Sequence, residues 1–146
     1  MKTLIKFIFI PSLFIVFFNY GSVLSQDKDW SPGNKYNRLF DAKTIVTMKG
    51  EITEVNKYYS DKGLSYGLHF DMKTGDELIT VLVGPGWYIE DKGIEFNAGD
   101  QVEVTGSRVI FNEKQSIIAT EIVKDSKTIK LRDDRGNPLW IGWGCR

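Results

Sequence analysis

LSYGLHFDMKTGDELITVLVGPGWYIEDKGIEFNAGD, residues 64 to 100, changes character twice. Its first nine residues alternate. Leu64, Tyr66, Leu68, Phe70 and Met72 point one way, and Ser65, Gly67, His69 and Asp71 the other, which is the period of a strand. Lys73 to Asp76 reads as a turn, and Glu77 to Gly84 is apolar on both faces, as a central strand would be. At Gly84-Pro85-Gly86 the strand pattern stops. The stretch that follows, up to Asn97-Ala98-Gly99-Asp100, has room for one or two turns of helix anchored by Trp87, Ile89 and Phe96. A helical insert at this place separates the all-β folds from one another. An immunoglobulin-like sandwich needs about seven strands and no such insert.

Outward from this stretch the chain is strand on both sides. Residues 44 to 60 are rich in β-branched side chains, with Gly50 in the middle, where a strand must bend or let another backbone come close. Residues 101 to 112 are strand again, and their apolar parity shifts at Gly106-Ser107, which implies a bulge. A tight turn at Asn112-Glu113-Lys114 leads into a strand over 114 to 124. Residues 128 to 143 read as two short strands around Asp-Asp-Arg-Gly-Asn-Pro. The expected fold is all-β: an OB-like Greek-key barrel of five main strands, a short helical connection between strands 3 and 4, and a C-terminal hairpin. Its parts are a lead-in over 26–43, a barrel over 44–125, and a hairpin with its tail over 126–146. The lead-in has Trp30, Tyr36, Leu39 and Phe40 embedded, and its aromatics should dock on the barrel, as Leu131, Leu139 and Trp140 should for the hairpin.

The first 25 residues have the three parts of a secretory signal. Lys2 and Lys6 form a basic end, Phe7 to Phe18 an apolar stretch, and Val23-Leu24-Ser25 a cleavage site. The apolar stretch falls short of the about 20 residues that a span needs, so cleavage is expected and no membrane span thereafter. Cleavage removes two lysines and no acids from 19 basic and 19 acidic residues, leaving 17 and 19, a net charge of −2. A protein that grips nucleic acid through its phosphates needs a basic face, so nucleic acid is an unlikely partner. Cys145 is the single cysteine, so no intrachain disulfide can form.

Five blocks occur in one order: YNRLFDAKTIVTMKGEITEV (36–55), LVGPGWYIE (82–90), GDQVEVTGSRV (99–109), IIATEIVK (117–124) and LRDDRGNPLW (131–140). Together they resemble the exported bacterial domain shared by the magnetosome proteins MamS and MamX, and more distantly the small periplasmic bacterial OB-fold proteins. The resemblance implies an exported OB-like domain in the periplasm or outside the cell, sometimes linked to redox or metal handling, and no particular reaction. Relatives that carry haem have Cys-x-x-Cys-His; this chain has no such motif, which excludes covalent haem. Relatives with a second histidine before the Gly-Pro step have Leu82 or Val83 as its counterpart here.

The candidate chemistry is sparse. His69 is the only histidine, and Asp71 shares its strand face, so the two could contribute to a metal site or proton relay if Glu51, Glu54 or Glu77 added a donor. The ordinary reading of His69 is a solvent-facing residue on an antiparallel strand. Tyr58 and Tyr59, at a strand end, are candidates for a binding edge, whereas Tyr66 and Phe70 read as core. Trp87 and Tyr88 would cap a barrel mouth or cover a ligand pocket. Gly84-Pro85-Gly86 lacks the lysine of a phosphate loop, Gly106-Ser107-Arg108 is no nucleophile elbow, and Asp133-Asp134 belongs to a turn. The expected function is therefore a non-enzymatic exported binding module, without cofactor, for an envelope protein or small ligand. A metal or redox accessory protein is the alternative, and an oligosaccharide or nucleic-acid binder stands behind both.

Overall fold

A computed structural model describes residues 30, 35, 37–59 and 65–141. The leader and its cleavage site, Tyr36, Leu64, Trp143 and Cys145 lie outside the described residues. Six strands follow in order: β1 (Ile45–Tyr59), β2 (Tyr66–Thr74), β3 (Glu77–Pro85), β4 (Gln101–Phe111), β5 (Lys114–Lys124) and β6 (Lys127–Lys130). One short helix, α1 (Gly86–Asp91), lies between β3 and β4.

The strands are hydrogen-bonded in the order β3-β2-β1-β4-β5-β6, and a parallel pairing of β3 with β5 closes the first five into a barrel. Closure depends on β1, whose first half pairs with β4 (Ile45 to Glu51) and whose second half pairs with β2 (Glu51 to Tyr59). Gly50 stands at the change of partner. A Cβ there would strike the Lys73 carbonyl and the Met72 side chain, so only glycine lets the strand bend this closely over β2. The interior follows from alternation. Phe70 and Met72 of β2 sit opposite Val81 and Ile79 of β3, and all four are buried with Ile52, Val104 and Ile122. Phe96, from the loop after α1, adds its ring to that of Phe70 at 5.3 Å between centroids.

Two hairpins, over Asn112-Glu113 and Asp125-Ser126, turn on two residues with positive φ each, which suits the right-handed twist of the strands they join. The bulge expected at Gly106-Ser107 is at that level of the sheet, but the inserted residue belongs to the facing strand. Thr105 and Gly106 pair with Glu121 and Ala119, leaving Thr120 of β5 as the extra residue. Its freed carbonyl accepts the backbone N–H groups of Leu131 and Arg132, at 2.8 and 3.2 Å.

The chain end forms the expected hairpin in reduced form. Lys127–Lys130 is a sixth strand on β5, not one arm of a separate unit. The return is a minimal one, held by the Arg132–Pro138 bridge and by the Leu139 N–H on the Leu131 carbonyl at 3.0 Å. Asp133 organises the turn between them, its carboxylate accepting from the N–H groups of Arg135 and Asn137, both at 2.9 Å. Leu131 and Trp140 are buried as expected, but Leu139 is 38% exposed, because the return presents alternate side chains to opposite sides. In the lead-in, Trp30 and Phe40 dock as expected.

Candidate functional site

Past Ile52, β1 carries two kinds of face. Val55, Lys57 and Tyr59 point toward the barrel mouth, and Glu54, Asn56 and Tyr58 point outward, because neighbours on a strand alternate. On the mouth side lies a groove of about 470 Å³. Val55, Leu68, Ile89, Ile94 and Phe96 form its apolar surface, and Lys57, Tyr66, Glu90 and Glu95 bring polar groups. Tyr66 ties the two walls together. Its hydroxyl donates to the Glu90 carboxylate of α1, and the Lys57 ammonium lies 4.4 Å from its ring centroid. The hydrogen bond to Glu90 pushes the Tyr66 hydroxyl up to about 12, with burial adding to the effect.

The outward face of β2 and β3 is covered by both ends of the described chain. Trp30 is buried with its ring where a Cβ on Gly67 would stand, and its indole N–H donates to the Ser65 hydroxyl at 2.9 Å. The Trp140 ring lies against Gly84 in the same manner. The Trp140 indole N–H donates to the Trp30 carbonyl at 2.9 Å, joining the two covers. Arg132 is buried beneath them. Its guanidinium donates to the carbonyls of Val83 and Ala119 and lies 4.8 Å from the Trp140 ring centroid.

His69 belongs to this covered face. It is buried, not solvent-facing as the alternation of one strand had implied, because Tyr58 stacks on it at 5.4 Å between centroids and 11° between planes. Burial pushes its imidazole down to about 4; Asp71 pulls the other way, and the Arg132 charge adds to the burial. Asp71 accepts the Thr80 hydroxyl at 2.7 Å. Glu77 pairs with Arg108, and Glu51 accepts from Gln101, so these acids are engaged elsewhere. Among the described residues, no three His, Cys, Asp or Glu side chains gather into a group that could hold a metal ion.

The four aromatic candidates therefore separate. Tyr58 covers His69, while Tyr59, 60% exposed, stands 6.0 Å from the Tyr66 ring at the groove end. Trp87 is exposed on α1. Tyr88 is only 2% exposed, with its ring 5.7 Å from Trp140, so it packs against the cover. Tyr66 moves the opposite way, from expected core to groove wall, because the inner face of β2 runs out of the barrel at its first residue. Arg132 was missed altogether. In sequence it stands beside Asp133 and Asp134 and reads as part of a solvated turn.

The sequence matches the model of the MamS/MamX magnetosome protein family over residues 44–129. No curated protein matches it. Among solved structures it is similar to the small single-stranded DNA-binding protein from Streptomyces coelicolor (18% identity, 56% of this chain and 90% of that one, TM-score 0.44). It is also similar to the N-terminal domain of PriB protein from Thermoanaerobacter tencongensis (17% identity, 58% and 99%, TM-score 0.43). Among the described residues, no helix is long and apolar enough to cross a membrane. The chain belongs to the MamS/MamX family.

Proposed function

We propose that this family member is an exported, non-enzymatic binding module that holds a protein or small-molecule partner in the groove between β1, β2 and α1. The observation that carries the reading is the groove itself, an apolar floor edged by Lys57, Tyr66, Glu90 and Glu95. Sites of this makeup bind by burying apolar surface while a few polar groups fix orientation. The outward face of β2 and β3, where OB barrels commonly take their ligands, is filled in this chain by Trp30 and Trp140. That favours the groove over an oligonucleotide or oligosaccharide site. The leader pattern supports export, and recovery from the periplasm or medium with Gln26 as first residue would bear it out.

The reading is tested by nuclear magnetic resonance with a neutral amphipath, octyl glucoside below its micelle concentration. Amide shifts should concentrate at Lys57, Tyr66 and Ile94 to Phe96, and stay small around the open hollow lined by Lys49, Thr74 and Gln101. Shifts of equal size at both places, or none, would reject the groove as the site.

A further inference from the structure

We infer that the partner enters this groove as an added β-strand, an extended protein segment pairing main chain to main chain with the outer edge of β1 over Glu54–Tyr59. This deepens the groove reading and rests on it.

The edge is the first observation. Up to Glu51 the side of β1 away from β2 is taken by β4. Ile52 then exchanges bonds with Asp100 and Gly99, at 2.9 and 2.7 Å. Thr53 is a bulge residue, since Ile52 and Glu54 pair with Met72 and Asp71. Beyond it, among the described residues, no strand but β2 pairs with β1, and no backbone bond reaches its other edge. In an antiparallel pair, alternate residues turn N–H and C=O away from the partner, so these six residues offer about three outward sets. The chain that could have paired there, Gly93 to Phe96, stands across the groove instead.

The groove supplies what a bare edge lacks. Val55 and Lys57 line both the edge and the cavity, so alternate side chains of an incoming strand would meet Val55, Leu68, Ile94 and Phe96. This is the mode in which main-chain bonds give affinity and pockets for alternate side chains give specificity.

Charge selects the occupant. Lys57 lies over Tyr66, and Glu90 accepts the Tyr66 hydroxyl. On the alternate, outward face of the same edge, the Glu54 carboxylate has no hydrogen-bond or ion-pair partner among the described residues. The segment that fits alternates apolar residues with a lysine or arginine. A second copy of this chain fits less well. Glu54 and Lys57 point to opposite faces of β1, so no two-fold pairing of this edge with itself sets opposite charges side by side.

The test uses the isotope-labelled protein with the hexapeptide Lys-Val-Lys-Val-Lys-Val and with the same peptide N-methylated at alternate residues. Amide exchange over Glu54–Tyr59 should slow when the first peptide binds, and N-methylation should weaken binding about tenfold or more by removing the pairing donors. If both peptides bind equally and shift the groove, the groove reading stands and strand addition is overturned. If neither binds while octyl glucoside still moves the groove residues, strand addition is again overturned. If exchange over the same residues slows with protein concentration alone, the occupant is a second copy and the peptide proposal fails.

Discussion

The barrel interior and the layer over the outside of β2 and β3 are both buried, yet they are built differently. The interior is filled by Ile52, Phe70, Met72, Ile79, Val81, Val104 and Ile122, side chains whose packing asks for volume and shape. The outer layer is Trp30, His69, Arg132 and Trp140, held by directed bonds and seated on Gly67 and Gly84. The interior tolerates substitution as long as volume is kept. The outer layer depends on donors meeting particular carbonyls, and an unmet buried donor loses its hydration with no return. One region makes a barrel of some kind, and the other fixes how the chain ends lie on it.

The largest test of this contrast is removal of residues 126 to 146, which takes β6, Leu131, Arg132 and Trp140 together. The cooperative thermal transition should be lost, since more than ~5 kcal/mol of a marginal total goes with them. An unchanged melt would show that the outer layer is decoration. Next in size are Trp140→Ala and Phe70→Ala, each expected to cost ~3–5 kcal/mol in urea unfolding. The two regions should part company in double mutants. Trp30→Ala should cost ~1–2 kcal/mol less in the Trp140→Ala background than in the wild type, whereas Phe70→Ala and Trp140→Ala should add. Additivity of the two tryptophans would dissolve the layer as a unit.

Acid should strike the outer layer first. The folded state holds His69 near 4 against an ordinary value of 6.5, so it favours the neutral ring. The stability this contributes is fully present above about 6.5 and is lost as pH falls toward about 4, a change of ~3 kcal/mol. His69→Gln should flatten that part of the profile of unfolding free energy against pH; an identical slope in the variant would assign the loss to other groups. The smallest effect is Gly67→Ala, where a methyl meets the Trp30 ring. It should cost ~2 kcal/mol by crowding, and much less once Trp30 is also alanine.

The same contrast sorts what could be read from the sequence. Alternation in residues 64 to 72, the apolar run from Glu77, the break at Gly84-Pro85-Gly86 and the bend at Gly50 are local signals, and each falls where the barrel requires it. The burial of His69 is not local. It comes from Tyr58, which lies on β1, so the pattern of β2 alone points it to solvent. Tyr88 and Trp87 are neighbours on a helix too short to show a periodic face, which left both as binding candidates. The bulge shows the intermediate case. Parity marked its level in the sheet through Gly106, but only the register of both strands places the extra residue at Thr120.

The Trp140 indole reaches the Trp30 carbonyl across 110 positions of sequence. A polypeptide emerges in order, from a ribosome or through a translocation pore, and the second half of this contact comes 110 residues after the first. The five barrel strands can pair while Trp140 is still withheld, but the covering of β2 and β3 must wait for it. Until then the newborn chain shows Gly84 and the Arg132 guanidinium to whatever escorts it. Completion of this cover is therefore timed by the emergence of Trp140, and a chain stalled before it should display a surface that the folded domain hides.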